Sequence, residues 1–373
     1  MSIAAEILRA GLNRGRGSTK RSAISPIGLL VTVGLAVAVM DVAPGAVTMP
    51  QDIEQFLVQV AKFSQAETAA LENGTVIAKA EPGGNDTETV TVAAVKIRAT
   101  TEQVARYYGQ MITYVDGEIT KAFGRFSNPP AATDVTNLSL DSDDVAHLKA
   151  CKRGNCDLRV GTGLDTLRSS VNWNAPDSVG QVNALVRQAV VGYLGAYLKS
   201  GDAALVTYND RSEPVSLKQE WQSILAGSPY FQQYSPALRE YLEQYPRKAL
   251  PGATDVLYWV KEDYAGLKPV ISVVHGVIYA PPDHPERIVV VQKQLYASHY
   301  YDGSLAVASV VGASQGTAPA TYLIYGNRSR GDLLKGGFGG LKRKVARDQA
   351  KKSAEQTLTT IKSVLEQAAP AAR

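Results

Sequence analysis

The C-terminal part of the chain holds the pattern that most limits how it can fold. Residues 287–300, 304–311 and 321–328 are dense in valine, isoleucine and tyrosine, which favours β-strands. Residues 341–367 then repeat apolar side chains every three to five positions, which predicts an amphipathic helix. A sheet and a helix that each have one apolar side can bury those sides against each other. We therefore predict an α+β fold in which antiparallel strands pack against a long C-terminal helix.

The N-terminus carries the features of an export signal. Residues 1–24 are rich in Arg and Lys with Glu6 as the one acid, and residues 27–40 are uncharged and apolar. This run is shorter than the about 20 residues that cross a bilayer, and it fits the apolar region of a signal peptide. Small residues follow at Ala43 and Gly45. We predict a signal peptide or an uncleaved membrane anchor over residues 1–46, with a buried helix as a further alternative.

The two cysteines, Cys151 and Cys156, flank a turn formed by Gly154 and Asn155. In an exported protein such a pair more often forms a local disulfide than a metal site. A zinc site would need two further ligands, and neither His nor Cys lies close by in the sequence. We predict a disulfide, with a redox-active pair as the alternative.

The segment after the leader, residues 47–113, begins with helix and hairpin patterns. Residues 53–71 place apolar side chains on one side and predict a helix. Residues 75–80 and 87–98 predict two strands joined by a turn rich in Gly and Pro. The next helix has a capping-box pattern, with Thr100 or Thr101 as the cap and Glu102 or Gln103 as its partner.

The middle of the chain, residues 114–254, is predicted to be mostly helical. Its clearest helices are expected at residues 179–198, 217–225 and 237–245, each ended near Gly or Pro. Residues 255–373 return to strands and end in the long helix. Residues 114–254 therefore interrupt an otherwise antiparallel α+β arrangement.

One stretch resembles a known superfamily. Residues 97–104 read apolar-x-Ala-Thr-x-Glu-x-Val at the end of a strand that runs into a helix. This resembles the opening of START-like proteins, which include polyketide cyclases and lipid-transfer domains. The resemblance covers residues 90–112 and 255–366, and residues 114–254 depart from it as an insertion the size of a domain. It implies a helix-grip fold, in which the sheet grips the terminal helix and leaves room for an apolar ligand.

The START-like resemblance implies that polar side chains on the strands orient a ligand in this cavity. His275 lies in a strand pattern among valines and isoleucines, where a buried core histidine is the alternative interpretation. For the other strand residues, the alternative is a solvent-facing position on a half-buried strand. We predict ligand contacts from His275, Lys293, Tyr296, His299, Tyr301 and Arg328.

A basic, glycine-rich segment precedes the last helix. Lys and Arg outnumber Asp over residues 328–352, and Phe338 lies among glycines at 336–340. Such a segment can contact an anionic membrane surface, and the glycines can act as a hinge for the helix. A solvated helix face is the alternative. The predicted membrane contacts are Arg330, Lys335, Phe338, Lys342 and Arg343.

Signals for catalysis are weak. Residues 312–316 match Gly-x-Ser-x-Gly, but a strand pattern follows where a nucleophile elbow requires a helix. The acids Asp141, Asp143 and Asp144 suit a helix N-terminus better than a calcium loop. The net charge of +4 is small for 373 residues and gives no argument for nucleic acid. We predict no catalytic residue, metal or cofactor.

These patterns together lead to a functional hypothesis. We expect an exported envelope protein, periplasmic or anchored to the outer face of the cytoplasmic membrane. It would bind a hydrophobic or amphipathic small molecule, such as a lipid, between sheet and helix without catalysing a reaction. The alternatives are a START-like enzyme of cyclase or hydrolase type and an envelope interaction module without a cavity.

Overall fold

The computed structural model describes residues 49–111, 120–263, 267–313, 319–332 and 339–368. The predicted leader, residues 1–46, lies outside this range. The described chain has an α+β fold with a large antiparallel sheet and a long C-terminal helix, as predicted. Among its helices, none is both long and apolar enough to cross a membrane.

The main sheet has eight strands, and every neighbouring pair is antiparallel. Their spatial order is β1-β2-β10-β9-β8-β7-β6-β3. A separate two-stranded ribbon pairs Thr207–Tyr208 (β4) with Val215–Ser216 (β5). The strands of the main sheet are Ile77–Pro82 (β1), Glu88–Ile97 (β2), Thr120–Arg125 (β3), Ala253–Glu262 (β6), Val270–Tyr279 (β7), Arg287–Ala297 (β8), Tyr301–Gly312 (β9) and Thr321–Gly331 (β10).

Helices cover both faces of this sheet. Two short 3-10 turns, Ala132–Val135 and Gly201–Ala204, accompany them. A π-helical turn, Phe56–Val60, directly continues the first α-helix. The α-helices are Gln51–Gln55 (α1), Gln65–Glu72 (α2), Thr101–Met111 (α3), Ser142–Ala150 (α4), Leu164–Ser169 (α5), Ser178–Ser200 (α6), Leu217–Ala226 (α7), Pro229–Gln233 (α8), Pro236–Gln244 (α9) and Gly339–Ala368 (α10).

The sheet separates two hydrophobic cores because successive side chains of each strand point to opposite faces. On one face, α3 and α10 pack on β2, β10 and β9. Leu358 and Ile361 of α10 are fully buried there, beside Val95 and Leu323. This packing is the sheet–helix contact that the apolar stripe of α10 predicts.

The opposite face is covered by the segment between β3 and β6, together with α1. Because β3 and β6 are neighbours in the sheet, residues 126–252 leave one strand and return to the next. Their helices bury Tyr197 and Trp221 against Trp259 and Leu295 of the sheet. We call these residues the helical layer.

The predicted helix over residues 53–71 is wrong as a single element. The π-helical turn ends at Val60, Lys62 adopts a positive φ of 58°, and α2 starts after Ser64. A capping box causes the restart: the Ser64 hydroxyl accepts from the Glu67 N–H at 3.2 Å, and the Glu67 carboxylate accepts from the Ser64 N–H at 2.7 Å. The break lets α1 fold over the sheet independently of α2.

Two local predictions are confirmed. Thr100 and Gln103 form the capping box at the start of α3, with contacts of 2.9 Å and 3.3 Å. Cys151 and Cys156 are joined by a disulfide directly after α4, with their Cα atoms 4.6 Å apart. The turn within the disulfide is closed by backbone hydrogen bonds between Lys152 and Asn155.

Candidate functional site

An apolar cavity of about 410 Å³ lies between the sheet, α1 and the chain around α8. It is on the face opposite α10, whereas the sequence predicted a cavity beneath α10. We call it the α1 cavity. Its apolar wall is formed by Ile53, Phe56, Val60, Val90, Val92, Phe231, Val289, Leu305, Val307 and Ile324.

The cavity exists partly because Gly326 lacks a side chain. Gly326 lies within β10 between Ile324 and Arg328, which point to the same face. Its partners across the sheet are Val92 of β2 and Val307 of β9. A β-carbon built at Gly326 would have no atom within 4 Å. A larger residue here would therefore extend into the cavity.

Aromatic rings form the roof of the cavity. Phe56 meets Tyr230 and Tyr234 edge to face, with ring centroids 5.8 and 5.5 Å apart. This geometry is favourable for aromatic pairs and ties α1 to α8. Pro229, at the first turn of α8, fixes the chain direction there. The cavity is thus bounded by side chains from three separate parts of the sequence.

One charged group at the cavity wall, Arg287, is neutralised by its neighbours. Its Nη1 lies 2.5 Å from Asp52, and its Nε donates to Glu286 at 3.2 Å. These two carboxylates raise the pKa of Arg287 against the opposing effect of burial. The contact with Asp52 fixes α1 on the sheet.

The second charged group at the wall is Arg328. Its Nε donates to the buried carboxylate of Glu88 at 2.6 Å. Its guanidinium lies against Gly227, the residue that ends α7. Both Nη groups lack a hydrogen-bond partner among the described residues. Arg328 therefore presents unused N–H donors at the wall of an apolar cavity.

Glu88 is the centre of a buried ion cluster behind this wall. It accepts from Arg328, from Arg330 at 3.0 Å and from the Gly84 N–H at 3.0 Å. Burial alone would raise the pKa of Glu88, but the two guanidinium groups lower it below its usual value. Arg330 also contacts Glu220 of α7 at 3.0 Å. The cluster holds Arg328 in place.

His275 belongs to a buried polar network, separate from the α1 cavity. Its Nε2 lies 2.9 Å from Asp255 Oδ1, and its Nδ1 lies 2.9 Å from the Tyr197 hydroxyl. A neutral ring satisfies both contacts when Nε2 carries the proton and Nδ1 accepts. Tyr241 donates to the same carboxylate at 2.7 Å. The network ties α6 and α9 of the helical layer to β6 and β7.

This network predicts a pH-dependent stability. Burial lowers the pKa of His275 below 6.5, while in the unfolded chain it titrates near its ordinary value of about 6.5. The unfolded chain therefore binds more protons as the pH falls through that value, and protonation favours unfolding. We expect the free energy of unfolding to fall by up to about 1.4 kcal/mol per pH unit below about pH 6.5.

The measurement is urea unfolding at a series of pH values, for the wild type and for His275→Gln. The Gln variant keeps a polar side chain but does not titrate. The part of the pH dependence of the unfolding free energy that is due to His275 should therefore disappear. Equal slopes for both proteins between about pH 6.5 and pH 5 would contradict the assignment.

Lys293 lies beside His275 in the register of the sheet, and it is also fully buried. Its ammonium contacts the Asp202 carboxylate and lies 4.7 Å from the centre of the Trp221 ring. Burial lowers the pKa of Lys293. The ammonium is thus enclosed by the helical layer, and neither it nor His275 lines the α1 cavity.

The remaining predicted ligand residues lie apart from one another. Tyr296 donates from its hydroxyl to the Arg159 carbonyl at 2.9 Å. His299 follows the end of β8 and contacts Asp144 of α4 at 3.2 Å. Tyr301 packs beside Val270 and Ala297. Of the six predicted residues, Arg328 is the one that lines the α1 cavity.

The predicted membrane contacts are also dispersed. Arg330 is buried in the Glu88 cluster and is not available to a lipid surface. Arg343 lies 3.6 Å from the exposed Asp86. Lys335, Phe338 and the side chain of Lys342 lie outside the described residues.

A second apolar space, about 820 Å³, lies within the helical layer. It is bounded by α4, α5 and α6 and by the start of β7. Two of its tyrosines are engaged, since Tyr193 donates to the Leu295 carbonyl at 2.6 Å and Tyr296 to the Arg159 carbonyl. Arg159 is buried and paired with Asp210, Asp302 and Asp332, but its Nε has no hydrogen-bond partner among the described residues. The second space therefore offers mainly apolar contacts, and its arginine is already paired with three carboxylates.

Sequence reasoning missed Gly326, Glu88 and α1 as parts of a site. A glycine inside a strand pattern often marks a place where a ligand or another backbone comes close, so Gly326 carried a usable signal. Glu88 gave no signal because its partners lie far away in the sequence.

No group of three His, Cys, Asp or Glu residues in the described ranges is arranged to hold a metal ion. The sequence was compared with protein-family models and with the curated proteins, and neither comparison found a match. The function must therefore be argued from the geometry of the site.

Proposed function

We propose that this protein binds a hydrophobic or amphipathic small molecule, such as a lipid, in the α1 cavity. The observation that carries the proposal is an apolar space of about 410 Å³ with the side-chain-free Gly326 in its wall. This volume falls within the range of about 300–1,000 Å³ that is usual for small-molecule sites. A space of this size and polarity favours an apolar ligand over water.

The proposal includes an envelope location, which rests on the basic and apolar pattern of residues 1–46. An exported protein can carry apolar molecules through an aqueous compartment when it removes them from water. The contact between the sheet and α10 is compatible with the helix-grip arrangement of START-like proteins. However, the proposed ligand lies on the opposite face, so the proposal does not depend on that resemblance.

A carrier is supported better than an enzyme because the connected network of titratable groups around His275 is separated from the cavity. Tyr197, His275, Asp255 and Tyr241 form a connected network, but none of them lines the α1 cavity. General acid–base catalysis requires such a group within hydrogen-bond reach of the substrate. The Asp, His and Arg side chains that do line the cavity are already engaged: Asp52 with Arg287, His284 with Glu286, and Arg328 with Glu88.

The test fills the cavity without disturbing the rest of the fold. N-phenyl-1-naphthylamine, an uncharged probe that fluoresces in apolar surroundings, is titrated into wild type, Gly326→Ala, Gly326→Val and Gly326→Phe. We expect the wild type to bind the probe and the three variants to lose affinity in order of side-chain size. The loss should reach at least about tenfold for phenylalanine, equivalent to about 1.4 kcal/mol. Because β-branched and aromatic residues favour strands, folding should be preserved.

Gly192→Phe provides a matched control. Gly192 is an exposed residue of α6 with no atom within 4 Å of a β-carbon position, and it lines neither cavity. The same substitution there should leave probe affinity unchanged. Undiminished binding in folded Gly326→Phe would refute the α1 cavity as the site. Absence of probe binding by the wild type would leave the interaction-module hypothesis.

A further inference from the structure

Resting on the proposed function, we propose that the ligand of the α1 cavity is a long-chain carboxylic acid whose carboxylate binds the two Nη groups of Arg328. The wall of the α1 cavity is largely apolar, and it holds Arg328, whose two Nη groups both lack a hydrogen-bond partner among the described residues. A planar guanidinium can form two parallel hydrogen bonds to a carboxylate. The combination matches a molecule with an apolar chain and one acidic end.

The position of Arg328 is fixed before any ligand arrives. Its Nε is bound to Glu88, which is itself held by Arg330 and by the backbone N–H of Gly84. The guanidinium also lies directly over Gly227, where a β-carbon would be only 3.1–3.2 Å from its atoms. An anchored arginine loses little conformational freedom on binding, which favours ligand affinity.

The alternative anchor in the same cavity, Arg287, is less suitable for an acid. It is paired with two carboxylates, those of Asp52 and Glu286. A ligand carboxylate placed there would be a third negative charge around the single positive charge of Arg287. The cluster at Arg328 is balanced instead, with Arg328 and Arg330 opposite Glu88 and Glu220. Electrostatics therefore favour the acid group at Arg328.

The location of Arg328 also sets the direction of the ligand. The carboxylate would lie beside Gly227 at the end of α7, and the chain would pass over Gly326 toward Phe56 and Ile53. Val307 and Ile324 would contact the chain along the sheet. Neither the protein nor the ligand reacts, so the complex forms and dissociates without covalent change.

The experiment compares ligands that differ only in the polar end. Dodecanoic acid, its methyl ester and dodecanol each displace N-phenyl-1-naphthylamine from the wild-type protein at neutral pH. We expect the acid to displace the probe at about tenfold to a hundredfold lower concentration than the two neutral molecules, as for a hydrogen bond between charged groups. Equal concentrations for all three in the wild type would overturn the inference while leaving the proposed function intact. Failure of the probe itself to bind would overturn both.

Variants then locate the effect. Arg328→Gln keeps a donor for Glu88 but removes the charge, and it should bind the acid and the alcohol equally while retaining its affinity for the probe. Arg98→Gln changes an exposed arginine that neither lines the cavity nor belongs to the Glu88 cluster, and it should keep the preference for the acid. Arg328→Lys should keep part of the preference and serves if Arg328→Gln does not fold. A preference that survives in folded Arg328→Gln would contradict the assignment.

Discussion

Replacing Asp202 by alanine should lower the free energy of unfolding by about 3–5 kcal/mol. The change removes the carboxylate that contacts the fully buried ammonium of Lys293. What remains is the Leu242 carbonyl at 3.4 Å and the rings of Trp221 and Tyr197, which cannot replace a counter-ion. Urea unfolding at neutral pH measures the loss. If the unfolding free energy depends equally steeply on urea concentration in the wild type and the variant, the two proteins expose the same amount of surface on unfolding.

The control for this prediction removes the charge as well as its partner. Lys293→Met has similar length and no charge, so the double variant Asp202→Ala with Lys293→Met should recover most of the lost stability. The deficit of Asp202→Ala alone should also shrink as the pH rises. Burial lowers the pKa of Lys293, so the folded protein loses this proton before the unfolded chain does. A loss below about 1 kcal/mol, or a double variant as unstable as the single one, would contradict the pairing.

Local patterns in the sequence predicted much of the architecture because their causes are local. The run of valines and isoleucines in β7 and the Thr100–Gln103 capping box both depend on neighbours within a few positions. The C-terminal strands and α10 were predicted for the same reason. The break between α1 and α2 was missed because the apolar residues on both sides of it follow one helical period. The capping box at Ser64 nevertheless starts a new helix at that point.

The site was harder to predict because it depends on how distant segments meet. Arg328 was selected from the sequence, but its partner Glu88 and its neighbour Gly227 are far from it along the chain. His275 and Lys293 are direct partners across β7 and β8 and so share one face of the sheet. The sequence does not specify which face each helix covers, and the helical layer buries both residues in ion pairs and hydrogen bonds.

The role of α10 also depends on which face of the sheet each helix covers. The sequence suggested that α10 moves about a glycine hinge to admit a ligand. Its residues Ala354, Leu358 and Ile361 are buried against the sheet in one continuous core. The α1 cavity lies on the other face and is covered by α1 and α8. The geometry therefore assigns α10 to stability and α1 to the cover of the α1 cavity.

Replacing Leu358 by alanine should separate these two roles. Loss of a fully buried leucine side chain should lower the free energy of unfolding by about 2–5 kcal/mol, because it removes apolar contacts and leaves a void. The affinity of the folded variant for N-phenyl-1-naphthylamine should equal that of the wild type, since the void and the α1 cavity lie on opposite faces of the sheet. Val364→Ala, at an exposed position of the same helix, should change stability by less than about 0.5 kcal/mol. If instead Leu358→Ala altered probe affinity while the protein remained folded, the ligand would have to lie beneath α10, and the assignment of the α1 cavity would be wrong.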